Sequence, residues 1–107
     1  MILSSFNIRG LGGGSKLISL RRLFDVIKPD IVFIQETMAS ASKACQFFLK
    51  IFLGWEVCAT DASGHSGGLL CVWNPCSCDF LSNSTIVGIL LVGMIKGCEE
   101  SVIFVNC

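Results

Sequence analysis

Two polar side chains, Gln35 and Glu36, stand at the exit of the apolar run Ile31-Val32-Phe33-Ile34, which begins directly after Pro29-Asp30. A short run of this kind reads as a strand buried on both faces. In open α/β sheets the ligand crevice lies outside the carboxyl ends of the parallel strands, so these two groups fall where chemistry is usually done. A carboxylate in that position can bind a hard cation, hold a ribose hydroxyl or cap the next helix. Asn7 and Arg9 are the other polar groups of interest, because alternation along Ile2 to Arg9 points both to one side of a first strand, opposite Phe6 and Ile8.

Other constellations offer other chemistries. The loop Gly10-Leu11-Gly12-Gly13-Gly14-Ser15-Lys16 invites nucleotide readings. A phosphate loop requires Gly-Lys-Ser/Thr at its end, whereas here Lys16 is followed by Leu17. A dinucleotide fingerprint requires glycine or alanine where Ser15 stands, although Glu36 suits its ribose-binding acid. A nucleotide-binding module built on this loop is therefore an alternative function, against the simpler reading of a turn before a helix capped by Ser15. Cys71, Cys76, Cys78 and His65 lack the paired Cys-x-x-Cys spacing by which two thiolates grip one zinc ion, and no Ser or Cys motif marks a nucleophile for His65 to serve.

The elements that position these groups follow from periodicity. Leu17, Leu20, Phe24 and Ile27 recur at three- and four-residue steps and predict an amphipathic helix ended by Pro29. Strand, helix and strand at this spacing form a crossover unit with parallel strands, which brings Asn7 and Glu36 to one crevice. Cys45, Phe48, Leu49 and Phe52 predict a second helix within Ala39 to Leu53, closed by Gly54. The period then changes to two. Trp55 to Thr60 and Leu69 to Trp73 make a hairpin with a long loop, Asp79 to Ser82 resumes, Asn83-Ser84 turns, Thr85 to Ile95 extends, and Ser101 to Cys107 is a final strand. The fold class is α/β, a partial four-layered sandwich whose mixed sheet begins with a β-α-β unit and continues as an antiparallel meander.

At 107 residues the chain has room for one domain. Eight basic and eight acidic residues leave no overall field to announce nucleic acid or membrane as partner, so any nucleic-acid contact has to be local. Hydrophobic residues make up 52% and charged residues only 15%, which calls for a large core or an apolar surface awaiting a partner. The stretch Ile86 to Ile95 is far short of the roughly 20 residues of a spanning helix, and Met1 to Arg9 carries no export signal, so an intracellular location, nuclear or cytoplasmic, is expected. Seven cysteines, an odd number at irregular spacing, argue against a disulfide framework and read mostly as small buried hydrophobes.

Three segments together resemble a known family: Ser5-Phe6-Asn7-Ile8-Arg9-Gly10-Leu11-Gly12, Lys28-Pro29-Asp30-Ile31-Val32-Phe33-Ile34-Gln35-Glu36-Thr37, and Ser66-Gly67-Gly68-Leu69. Their order and spacing are similar to the start of the endonuclease/exonuclease/phosphatase superfamily, the deoxyribonuclease I-like fold. The Asn-Ile-Arg-Gly-Leu-Gly form, with Trp55 before the Ser-Gly-Gly strand, is most similar to endonuclease domains of plant LINE-type retroelements. The resemblance implies metal-dependent phosphodiester hydrolysis of nucleic acid, with Glu36 binding a divalent metal, normally Mg2+, and Asn7 orienting the phosphate. Arg9 stands where some relatives carry a metal-binding acid, and is a candidate phosphate contact or a surface salt-bridge residue.

The superfamily's later motifs, a tyrosine-bearing strand end, an Asp-x-Asn pair and a terminal Asp-His pair, have no counterpart here. The chain has no tyrosine, and its one histidine, His65, lies in another context. The resemblance thus covers residues 1–107 as the N-terminal part of a single domain truncated at the C-terminus. It implies weak magnesium binding, activity near background, and an open apolar face and strand edge through which the chain self-associates. A catalytically dead fragment with at most a binding role is the remaining alternative.

Overall fold

Alternation within two strands organises the molecule, which is described over residues 1–63 and 67–107 in a computed structural model. Strand β1 (Leu3–Asn7) leads through helix α1 (Gly14–Ile27) to strand β2 (Ile31–Gln35), and the two strands pair in parallel with Asn7 opposite Gln35. Helix α2 (Ala41–Leu49) follows, then the antiparallel hairpin of β3 (Glu56–Thr60) and β4 (Leu69–Trp73). Strand β4 also pairs antiparallel with β2, giving a mixed sheet of order β1-β2-β4-β3. The remaining strands, β5 (Cys78–Ser84), β6 (Ile89–Ile95) and β7 (Ser101–Asn106), form a second, antiparallel sheet of order β5-β6-β7.

The predicted α/β class with a β-α-β start is the observed one, and the antiparallel continuation divides between two sheets. Strand β2 is buried on both sides, as an unbroken apolar run requires. Val32 and Ile34 face the helices and pack with Leu20, Phe24, Ala44, Phe48, Leu70 and Val72. Ile31 and Phe33 face the other way and pack with Cys71, Trp73, Cys78, Phe80, Ile89 and Leu91. Three layers result: helices, mixed sheet and antiparallel sheet. Phe104 of β7 closes the inter-sheet core edge-on against Phe33 and Phe80, at ring-centroid distances of 6.1 and 5.9 Å.

Local chemistry moved several boundaries. Ser15 does not cap α1; Gly13 holds that position without a side-chain bond, and Ser15 lies inside the first turn. Lys28 ends the helix in the left-handed conformation just before Pro29. The second helix is shorter than the predicted span, because Ser40 caps it, its hydroxyl accepting from Lys43 N at 3.2 Å, and irregular turns carry Phe52 onto the same core. The turn placed at Asn83-Ser84 instead spans Thr85 to Gly88. There the Thr85 hydroxyl accepts from Val87 N at 3.3 Å and Gly88 N at 3.1 Å, so the threonine stabilises the turn from within.

Asp30 fastens the two ends of this arrangement. Its carboxylate accepts from Ile2 N and from the Ser77 hydroxyl, each at 2.8 Å. These bonds hold the carboxyl below its ordinary range, with partial burial opposing them. A depressed carboxyl contributes stability that is fully present above the unfolded pKa, about 3.9, and lost as pH falls through the lower folded value. Urea midpoints are therefore expected to fall as the pH drops below about 4, and to fall less in Asp30→Asn over that interval.

Candidate active site

Strand directions decide which side chains meet. Since β1 and β2 are parallel, and β4 is antiparallel to both β2 and β3, the carboxyl ends of β1, β2 and β3 lie on one edge with the start of β4. That edge carries Asn7, Gln35-Glu36, Thr60-Asp61 and Gly67-Gly68. They line one open cavity of about 640 Å³, walled on its far side by the turn Thr85 to Gly88 and by Cys107. A smaller recess of about 350 Å³ beside it is lined by Asn7, Arg9, Glu36 and Met38. Asn7 and Glu36 therefore border both hollows, and exposed Arg9 borders the second.

The backbone at Glu36 is held in an uncommon conformation. Glu36 has φ 55° and Arg9 φ 53°, both left-handed, and Gly10 N donates to Glu36 O at 2.7 Å, locking the two strand exits together. Non-glycine residues held this way cost on the order of 1–3 kcal/mol each and cluster at functional sites. Among the described residues no hydrogen bond or ion pair engages the Glu36 carboxylate, which leaves its oxygens available.

The glycine pair supports Glu36 from behind. Met38 N donates to Gly67 O at 2.6 Å, and Thr37 N to Gly68 O at 3.3 Å, so the β2–β4 ladder continues past the strand ends. A Cβ on Gly67 would lie 3.1 Å from Glu36 Cγ, and one on Gly68, at φ 86°, would collide with Thr37 Oγ1. These glycines permit a close approach that any side chain would block. Thr37 Oγ1 is itself fully buried with no hydrogen-bond partner among the described residues.

Gln35 serves packing rather than the cavity alone. Its amide donates to Ser5 Oγ at 3.0 Å and to Asn106 Oδ1 at 2.8 Å. Asn106, only 2% exposed, in turn donates to Ile34 O at 3.2 Å and Leu70 O at 3.0 Å, which ties the last strand of the second sheet to the mixed sheet directly under the site. Sequence reasoning missed Asn106, and nothing in its strand marked it.

Asp61 was missed as well, although the rule that found Glu36 applies to it. Once β3 is known to run parallel to β2, the residue after its carboxyl end belongs to the same edge. One Asp61 oxygen accepts from Ala41 N at 2.6 Å at the start of α2, and the side chain borders the main cavity.

The remaining candidates do not converge there. Lys16 Nζ donates to Ile8 O at 2.7 Å and Gly10 O at 2.8 Å, so the lysine that a phosphate-binding loop would present is folded across its own loop. His65 and Ser66 lie outside the described residues. The expectation that most cysteines are buried does not hold: Cys71 and Cys78 are, Cys45 and Cys58 are half-buried, and Cys76, Cys98 and Cys107 are exposed. Turn positions and strand alternation, rather than residue type, set their exposure. Burial pushes the Cys71 thiol up to about 12, and raises Cys45 and Cys78 in the same sense, which keeps these sulfurs protonated and poor as metal ligands.

Oxygen donors are what the edge offers. Glu36 and Asp61 carboxylates and the Asn7 amide border one cavity, a set whose chemistry suits a hard cation such as Mg2+. The set is sparse, and among the described residues no three His, Cys, Asp or Glu side chains cluster closely enough to hold an ion unaided. Nor is any described helix long and apolar enough to cross a membrane.

Several solved structures share this architecture, two of which illustrate the likeness. One is a humanized D. rerio TDP2 carrying 14 mutations, with 18% identity and a TM-score of 0.62 over 94% of this chain and 44% of that one. The other is the AP endonuclease LMAP from Leishmania major, with 15% identity and a TM-score of 0.66 over 95% of this chain and 38% of that one. At these identities the likeness shows the fold, part of the deoxyribonuclease I-like α/β sandwich. The chain spans less than half the length of either structure. No family model and no curated protein matches it.

Proposed function

We propose that this chain carries the metal- and phosphate-binding part of a magnesium-dependent phosphodiesterase acting on nucleic acid, related to the endonuclease domains of plant LINE-type retroelements. Residues 1–107 then represent the N-terminal part of one domain of the endonuclease/exonuclease/phosphatase superfamily. The supporting observation is the Glu36 carboxylate, unengaged among the described residues and held on a left-handed backbone beside Asn7 at the carboxyl ends of parallel strands. One of the solved structures that share this fold, the AP endonuclease LMAP, is an endonuclease by name.

In this reading Glu36 is the principal metal ligand, Asn7 donates its amide N–H to a phosphate oxygen, and Arg9 offers a second charge-assisted bond from the adjoining recess. A bound divalent ion would neutralise charge on the phosphoryl oxygen and lower the pKa of a water. No described side chain at the cavity is placed as the general base, and each missing group of this kind commonly costs a factor of about a hundred or more. The chain by itself therefore binds phosphodiester and metal weakly and turns over near background. Its place of action is intracellular, and its uncovered apolar sheet face leads it to self-associate.

Calorimetric titration with magnesium, followed by plasmid nicking, tests the assignment. Binding weaker than micromolar is expected, abolished in Glu36→Gln, with nicking at background in both. Glu36→Gly is expected to lose the metal while raising stability by up to about 1 kcal/mol, because glycine relieves the left-handed strain. Submicromolar binding unchanged in Glu36→Gln places the metal elsewhere and overturns the assignment.

A further inference from the structure

We propose that a cationic groove between α2 and the loop after β1 holds a single-stranded stretch of nucleic acid leading away from Glu36. The groove's role depends on the nucleic-acid reading above and adds to it the form of the substrate: unpaired bases beside the phosphate at Glu36.

A hollow of about 470 Å³ lies along α2, and its lining runs from Leu11 to Lys50, all within the β-α-β unit and the helix after it. No described residue of the second sheet or of either chain end lines it. Met38 borders both this groove and the recess of Asn7, Arg9 and Glu36, so one surface leads from the carboxylate to the far end of α2. The wall opposite α2 is fixed by Lys16, whose Nζ donates to Ile8 O and Gly10 O within the loop.

Lys43 and Lys50 stand seven residues apart, two turns and about 10 Å along one face of α2, with Gln46 and Phe47 between them. Both lysines are exposed, and among the described residues neither ammonium is hydrogen-bonded or ion-paired. Arg21 adds a cation at the Lys50 end, its guanidinium donating to Lys50 O at 2.8 Å. Eight basic and eight acidic residues cancel over the whole chain, yet Glu36 is the only acid among the described residues bordering the groove or its adjoining recess. The local field therefore favours a polyanion.

The floor of the groove tells against a duplex. Phe47 and Leu11 are half-buried and Met38 is 62% exposed, so apolar surface lies between the cations. A duplex keeps its base faces stacked on one another and would leave that surface against sugar, phosphate and water. A single strand supplies both parts: phosphates for the lysines, and a base face for the Phe47 ring, which packs edge-on against Phe48 at 5.1 Å. An acidic peptide would meet the lysines but gives the ring nothing planar to stack on.

Fluorescence anisotropy with a labelled oligothymidylate, alone or annealed to its complement, tests this in EDTA. The single strand is expected to bind about tenfold more tightly than the duplex. Lys43→Ala/Lys50→Ala should weaken binding and lower the slope of log affinity against log salt by about 1.4, two phosphate contacts at about 0.7 each. Phe47→Leu, which keeps apolar bulk, should cost about tenfold with the slope unchanged. Lys28→Asn/Lys96→Ala removes as much charge from the hollows around Asp30, at the other end of the sheet, and should leave affinity within about twofold. Ultraviolet crosslinking of a bromodeoxyuridine-containing strand to the wild type needs no variant and should mark Met38 or Phe47. No binding, equal or tighter binding of the duplex or of a polyglutamate peptide, equal losses in the two lysine pairs, or crosslinks confined elsewhere each overturns the proposal. With metal absent the outcome is separate from the magnesium titration: a chain that binds the ion through Glu36 but no single strand refutes the groove alone, and the converse refutes the metal assignment alone.

Discussion

Asn106→Asp is expected to destabilise the chain by about 3–5 kcal/mol at neutral pH, as an uncompensated buried charge does. The substitution preserves shape, yet it replaces an amide that donates to Ile34 O and Leu70 O with a carboxylate oxygen that repels both carbonyls. At 2% exposure the side chain is shut off from bulk solvent, which leaves the conflict unrelieved. The introduced carboxyl binds a proton more tightly folded than unfolded, so its folded pKa is raised. The destabilisation is therefore least below the unfolded value of about 3.9 and grows as pH rises toward the folded one. Urea midpoints measured between acid and neutral pH should diverge from wild type in that direction, and a pH-independent difference would contradict the assigned contacts. Asn106→Leu, which leaves the same carbonyls unpaired without adding charge, should cost about 1–3 kcal/mol with no such pH trend.

Phe48→Ala is expected to remove most of the chain's stability. Phe48 is fully buried at the centre of the core between the helices and the mixed sheet. Truncating a core phenylalanine costs about 3–5 kcal/mol, against a total of about 5–15 kcal/mol for an ordinary domain. Calorimetric unfolding should lose its cooperative peak or shift steeply to lower temperature. Phe47→Ala, one residue away and half-buried, should cost much less. Equal effects from the two would mean that the helix packs on a different face.

The contrast between those two phenylalanines was legible in the sequence, because helical spacing separates position 48 from position 47. So was β2, whose unbroken apolar run has no polar face to turn to solvent, and so was the meeting of Asn7 with Glu36, which follows from a parallel crossover. The division into two sheets was not legible. Alternation in β5, β6 and β7 specifies which face of each strand is apolar, but Cys78, Phe80, Ile89 and Leu91 would serve equally well in a single extended sheet. Capping was misjudged for a related reason. Ser15 is a good capping residue by type, but the glycines before it let the helix begin earlier. Asp61 was within reach, since it needed only the direction of β3. Asn106 was beyond it, because a buried amide that bonds backbone carbonyls of other strands leaves no pattern in its own.

The cavity draws on the chain from Asn7 to Cys107, and the Gln35–Asn106 bond beneath it joins residues 71 positions apart. Loop-closure entropy rises with separation, so a contact of that span costs more to close than the crossover unit and the hairpins, which close over shorter distances. Order in time is thereby imposed on the site. Asn7 and Glu36 can be aligned early by their own strands, while the wall opposite them needs the second sheet in place, its β5–β6 turn and, at Cys107, the end of the last strand. An intermediate rich in strands and helices would thus present the carboxylate on an open ledge, and enclosure of the cavity would mark the final step of folding rather than its beginning.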